Sequence, residues 1–132
     1  MPESFAEETH ICLGKHSFDH MPKLHEFQSV SELYKLLSDS SRIRIFWILC
    51  HCEECVLHLS EMMDMSSPAI SHHLKQLRAA GLILSRREGK EVYYRAAATK
   101  QVELLHQMIE TIVQITCPES ETHSTEDFTL TE

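Results

Sequence analysis

Apolar residues recur along this chain with helical spacing, interrupted once by a stretch of strand character. Leu24, Phe27, Val30, Leu33, Leu36 and Leu37 follow at steps of three and four, which predicts an amphipathic helix. Ser38, Asp39, Ser40 and Ser41 break it and offer N-caps to a second helix from about Ser41 through Cys50. Ile43, Phe46, Trp47 and Leu49 are its expected core residues. After a short polar stretch, His51 to Cys55, the residues Val56, Leu59, Met62 and Met63 predict a short third helix, with the methionines as core filler. Asp64, Met65 and Ser66 form a tight turn into a fourth helix, with Ser67 as N-cap and Pro68 at the first helical position. Ile70, Leu74 and Leu77 line its inner face, and Gly81 ends it.

The strand character follows directly. Leu82, Ile83 and Leu84 and then Val92, Tyr93 and Tyr94 flank the polar, glycine-bearing turn Arg86 to Lys90, which reads as a β-hairpin. A last helix spans about Thr99 to Thr116, with Val102, Leu105, Ile109, Ile112 and Val113 on one stripe, and Leu104, Met108 and Ile115 widening it. Pro118 stops it. The fold class expected is mainly α, with about five helices and a hairpin in the order of a winged helix-turn-helix. Residues 1–22 read as a flexible, histidine-rich arm, 23–117 as the folded domain and 118–132 as a disordered acidic tail.

Charge changes the picture only when its distribution is considered. The 132 residues carry a net charge of -8. Between Ser66 and Arg95, however, Lys75, Arg78, Arg86, Arg87, Lys90 and Arg95 face only Glu88 and Glu91, while the tail holds acids and no Lys or Arg. A basic hairpin beside a helix-turn-helix is the footprint of a protein that binds double-stranded DNA. The outer face of the fourth helix carries Ser67, Ser71, His72, His73, Lys75, Gln76 and Arg78. Hydroxyl, imidazole and amide groups can read base edges, whereas Lys75 and Arg78 suit phosphates. Arg86, Arg87 and Lys90 of the wing can grip the backbone or a minor groove.

No apolar run is long enough for a membrane span, and the N-terminus shows no signal peptide, so the expected location is the cytoplasm. The five cysteines, Cys12, Cys50, Cys52, Cys55 and Cys117, are an odd number and argue against a disulfide framework. With ten histidines they supply the soft and borderline ligands that transition metals prefer. An enzyme using Cys55 and a histidine as nucleophile and base lacks an oxyanion loop and a third partner, so no catalytic role is expected.

The run from Ser67 to Leu82, with Ser71-His72-His73-Leu74-Lys75-Gln76-Leu77-Arg78 at its centre, resembles the recognition helix of the ArsR/SmtB family of bacterial repressors. The wing from Arg86 to Tyr94 and the helix start Asp39-Ser40-Ser41-Arg42-Ile43-Arg44-Ile45 are similar to the same family, and the resemblance covers about Leu24 to Cys117. It implies a homodimer joined through the first and last long helices, and a transcriptional repressor relieved by an inducer.

The family carries inducer sites at several positions. One pairs a cysteine just before the third helix, and a second ligand soon after, with a Cys-x-x-x-(His/Cys) pair on the arm. Here Cys55 and His58 fill the first half, and Cys12 and His16 the second. His58 stands where Asp or Cys is more usual, and Cys52 can replace a histidine for a softer ion. Two thiolates and two imidazoles suit zinc or cadmium, with lead or copper(I) as further options. His10 or His20 can stand in for His16. The family's zinc site on the last helix maps onto Ala98, Lys100, Thr111 and Gln114, which cannot ligate as a set, leaving His106 as a surface or interface histidine. The rival signal is a dithiol switch among Cys50, Cys52, Cys55 and Cys117 that senses oxidants or reactive sulfur.

Overall fold

The computed structural model describes residues 19–118. The chain divides into a short unit ending at Glu32 and a larger one beginning at Leu33. In the short unit, helix α1 (Leu24–Leu36, continuing into the larger unit) starts where Lys23 donates its backbone N–H to Glu26 Oε1 at 2.8 Å. Leu24, Phe27 and Val30 on it are exposed.

In the larger unit, α2 (Ser40–His51) begins at Asp39, whose carboxylate accepts the N–H of Arg42 at 3.0 Å. That bond holds the Asp39 carboxyl below its ordinary value. Arg42 ties three elements together: it donates Nη1 to the Leu36 carbonyl at 2.7 Å and Nε to His73 Nδ1 at 3.3 Å. A two-residue strand, β1 (Glu54–Cys55), leads into α3 (Val56–Met63). Asp64 closes α3 in the left-handed region, φ 51°. Helix α4 (Ser67–Ala79) is capped by Ser66, which accepts from Ala69 N, so the cap falls one residue before the expected Ser67. At its far end Leu82 N–H reaches Leu77 O, and Gly81 N–H reaches Arg78 O with φ 77° at Gly81. This six-to-one closure needs the positive φ that glycine tolerates.

Strands β2 (Ile83–Glu88) and β3 (Glu91–Ala96) pair antiparallel from Ile83↔Ala96 to Glu88↔Glu91, and β1 adds on the other side of β3 through Cys55↔Tyr93. The turn is therefore only Gly89–Lys90, and Arg86 and Arg87 belong to a strand rather than to the expected longer turn. Helix α5 (Lys100–Thr116) is capped by Thr99.

The core joins α2, α3, α4, the sheet and the start of α5. Ile45, Phe46, Leu59, Ile70, Leu74, Leu77, Leu82 and Ile83 are its fully buried members, each worth about 1.5–3 kcal/mol of burial. Leu33, Leu36 and Leu37 pack against its edge. The phase of α2 differs from the sequence expectation. Ile45, Phe46, Ile48 and Leu49 point inward, Ile43 is half-buried, and Trp47 is 39% exposed with its ring 4.1 Å from that of His51. Met62 is exposed rather than core, and α5 buries only Val102 and Leu105 of its apolar stripe.

Candidate nucleic-acid interface and metal-ligand positions

Helix α4 presents Ser67, Ser71, His72, Lys75 and Arg78 to solvent. Ser71, Lys75 and Arg78 border a cleft of about 450 Å³ floored by Leu74, Ala79 and Tyr94. Gln76 is half-buried, with its side-chain oxygen covered and unpartnered. His73 does not share the outer face on which the sequence reading put it. It is 9% exposed and accepts the Arg42 N–H, because its position falls in phase with Ile70, Leu74 and Leu77. Burial pushes His73 below the usual histidine value; Arg42 and His72 push the same way and Asp39 opposes them.

On the wing, Arg87 and Lys90 are open to solvent. Arg86 is engaged within the chain. Its Nε and Nη2 donate to both oxygens of Glu53, at 2.8 and 2.6 Å, and Nη1 donates to Glu88 at 2.7 Å. Its guanidinium carbon also lies 5.1 Å from the centre of the Tyr93 ring. The two carboxylates hold Arg86 firmly protonated.

The expected metal ligands divide. Cys12 and His16 lie outside the described residues. Cys52, just past α2, is exposed, and its Sγ lies 3.9 Å from Glu54 Oε1. Cys55 is buried at the start of α3, at the end of β1, whose backbone pairs with Tyr93 of β3. His58 is exposed, and its Nδ1 meets Glu54 Oε2 at 2.9 Å. Cys52, Cys55 and His58 are not gathered into a three-donor cluster among the described residues.

The thiols of Cys50 and Cys52 bear on the dithiol reading. Burial, with Glu110 adding, pushes Cys50 to about 11. Burial and Glu54 push Cys52 upward as well. Electropositive surroundings favour reactive thiolates, whereas Glu110 beside Cys50 and Glu54 beside Cys52 act against them.

A grouping absent from the sequence reading lies where α2 ends against α5: His51, His106 and Glu110 bring their ligand atoms within 4.8 Å of one another. The i,i+4 spacing of His106 and Glu110 was a visible signal. Their partner His51, 55 positions from His106, was not.

These features have counterparts in known proteins. A family model described as "Bacterial regulatory protein, arsR family" matches residues 39–85, from the α2 cap through the start of the wing. The chain is 33% identical over 88 residues to the arsenical resistance operon repressor of Staphylococcus aureus, covering 67% of this chain and 77% of that protein. The chain belongs to the ArsR family. Another relative, the cadmium resistance transcriptional regulatory protein CadC of Listeria innocua, is 38% identical over 81 residues, covering 61% of this chain and 66% of CadC. Over other curated relatives the match spans only about half of their length. Among solved structures, the homodimeric winged helix-turn-helix domain Mb0332 of Mycobacterium bovis superimposes with a TM-score of 0.62 at 26% identity, covering 71% of this chain and 86% of that one. The ArsR-family chain is thus a winged helix-turn-helix with α3 and α4 as the helix-turn-helix and β2–β3 as the wing. Among its described residues no helix is long and apolar enough to cross a membrane.

Proposed function

We propose that this chain is a homodimeric cytoplasmic repressor that holds double-stranded operator DNA and lets it go when a thiophilic metal ion is captured. The ligands are Cys12 and His16 on the arm and Cys55 and His58 around the start of α3, with zinc or cadmium as the ion; Cys52 replaces a histidine where the ion is softer, such as cadmium, lead or copper(I). The observation that carries this reading is the position of the Cys52–His58 segment. It runs straight into the helix that precedes α4, and its Glu53 grips Arg86 of the wing through two hydrogen bonds. Any rearrangement there reaches both DNA-reading elements.

The donor chemistry fits. With His58 Nδ1 on Glu54, Nε2 is left as the ligand nitrogen, and the carboxylate fixes the ring as outer-shell partners do. Two thiolates with two imidazoles make a tetrahedral set for zinc. A bound ion would supply a cross-link between arm and segment. Cys55 is buried at the end of β1, so its thiol must be uncovered for an ion to reach it, which couples capture to a local rearrangement at the start of α3. Release then requires that the DNA-free form hold the ion more tightly, and couplings of about 1–3 kcal/mol are typical.

On DNA, Ser67, Ser71, His72 and Gln76 serve as base-edge contacts, and Lys75, Arg78, Arg87 and Lys90 as phosphate contacts. Arg86 acts as a positioning residue for the wing. The dimer reading is supported by apolar residues left open on α5, with Leu104 58%, Ile112 54% and Ile115 76% exposed, and on α1, with Leu24 75% exposed. Relatives named for arsenical and cadmium resistance support a metal signal.

The direct test titrates reduced protein with cadmium and follows thiolate charge-transfer absorption. One equivalent per chain that vanishes in Cys55→Ser and weakens in Cys12→Ser is expected. Saturation unchanged by both substitutions would refute the assignment.

A further inference from the structure

The three groups at the α2–α5 junction are arranged as one face of a coordination polyhedron. His106 Nε2 lies 3.0 Å from His51 Nε2 and 2.8 Å from Glu110 Oε1, and His51 Nε2 lies 3.5 Å from the same oxygen. Ligands bound at about 2.0–2.1 Å in a tetrahedron stand about 3.3 Å apart, so each edge of the triangle lies within about half an ångström of that face and small side-chain shifts would complete it. Ring N–H protons can tie both imidazoles to the Glu110 oxygen, but two such protons then crowd between nitrogens 3.0 Å apart. One shared cation satisfies all three.

The scaffold is built for fixed positions. His106 and Glu110 sit one turn apart on α5, and His51 is the last residue of α2. The ring of Trp47 packs 4.1 Å from that of His51, and the His51 and His106 rings meet edge to face at 4.8 Å. The cluster opens onto a cleft of about 470 Å³ that Cys50, Cys52, His51 and His106 also line. The side chains of His51, His106 and Glu110 are 44%, 28% and 42% exposed, so an ion can enter from solvent.

We propose that His51, His106 and Glu110 form a second metal site, contained within one chain, that takes a borderline divalent transition ion of the zinc class with an open fourth position. It differs from the thiolate site in donors and place: it is nitrogen- and oxygen-rich and needs neither the arm nor Cys55. Occupied, it pins the end of α2 to α5.

The test uses the full chain carrying Cys12→Ser and Cys55→Ser, which removes the thiolate site, and cobalt(II) as a spectroscopic probe with zinc as competitor. The expected result is one cobalt per chain with visible d–d bands and no thiolate charge-transfer band. Zinc should displace it and raise the melting temperature. Adding His106→Gln should weaken binding at least about tenfold, and Glu110→Gln, which leaves both rings in place, should also weaken it. Circular dichroism checks that each variant is folded. No cobalt bound by the double-serine chain, or binding unaltered by both further substitutions, would overturn the site and leave a cluster held by protons alone.

Discussion

Glu53 and Arg86 form a two-pronged ion pair, 2.8 and 2.6 Å, that joins the segment before α3 to the strand that opens the wing. The pair is solvent-exposed, and such pairs add little to stability, about 0–1 kcal/mol. Its value lies in where it holds Arg86. Substituting Glu53→Gln should therefore change the melting temperature slightly while lowering operator affinity several-fold, as a loosened wing loses its contacts. Fluorescence anisotropy on a duplex selected by the metal-free protein, alongside thermal melts, checks this. Equal affinity for both proteins would separate the pair from DNA binding.

The buried histidine of α4 gives a pH signature. His73 accepts a hydrogen bond from Arg42 and titrates below the ordinary 6.5 in the folded chain. Asp39, Arg42 and His72 are the charged and titratable groups acting on it. As pH falls through 6.5 the unfolded chain takes up this proton before the folded chain does, so stability is complete above that value and is lost below it. Denaturant melts at pH 7.5 and 5.5, conditions chosen to bracket it, should show a smaller loss for His73→Gln, whose amide oxygen can still accept from Arg42. An identical pH slope in the two proteins would exclude His73 as the source.

Leu77 anchors α4 from its inner face and is fully buried. Leu77→Ala should cost about 2–5 kcal/mol and shift the urea midpoint accordingly. At the helix end, Gly81 has φ 77° and open space where a Cβ would sit. Gly81→Ala should cost about 1 kcal/mol from backbone strain alone. A cost for Gly81→Ala as large as that for Leu77→Ala would mean that the closure of α4 is misread.

The sequence patterns most plainly legible were those whose signals are local. Pro68 and Gly81 bracket α4, the Ser38–Ser41 cluster marks the α2 cap, and apolar and aromatic runs flanking a polar turn with Gly89 mark the hairpin. What escaped was set by contacts distant in sequence. Strand β1 is two residues long and exists only because β3 lies beside it. Trp47 looks like a core residue by type, yet falls out of phase with Ile45, Ile48 and Leu49. His73 reads as one of a polar pair, but helical geometry turns it inward while His72 stays out. For the ligand positions, sequence supplied the residue types around Cys55. It did not supply the Glu54 contact of His58, the burial of Cys55, or the meeting of His51 with His106.

The central claim is that metal captured between the arm and the start of α3 releases DNA. Operator affinity measured with and without one equivalent of cadmium or zinc, on the native chain and on Cys12→Ser, tests it most directly. The account predicts at least about a fivefold loss of affinity on metal addition, abolished by the arm substitution. Affinity indifferent to metal in the native chain would contradict it.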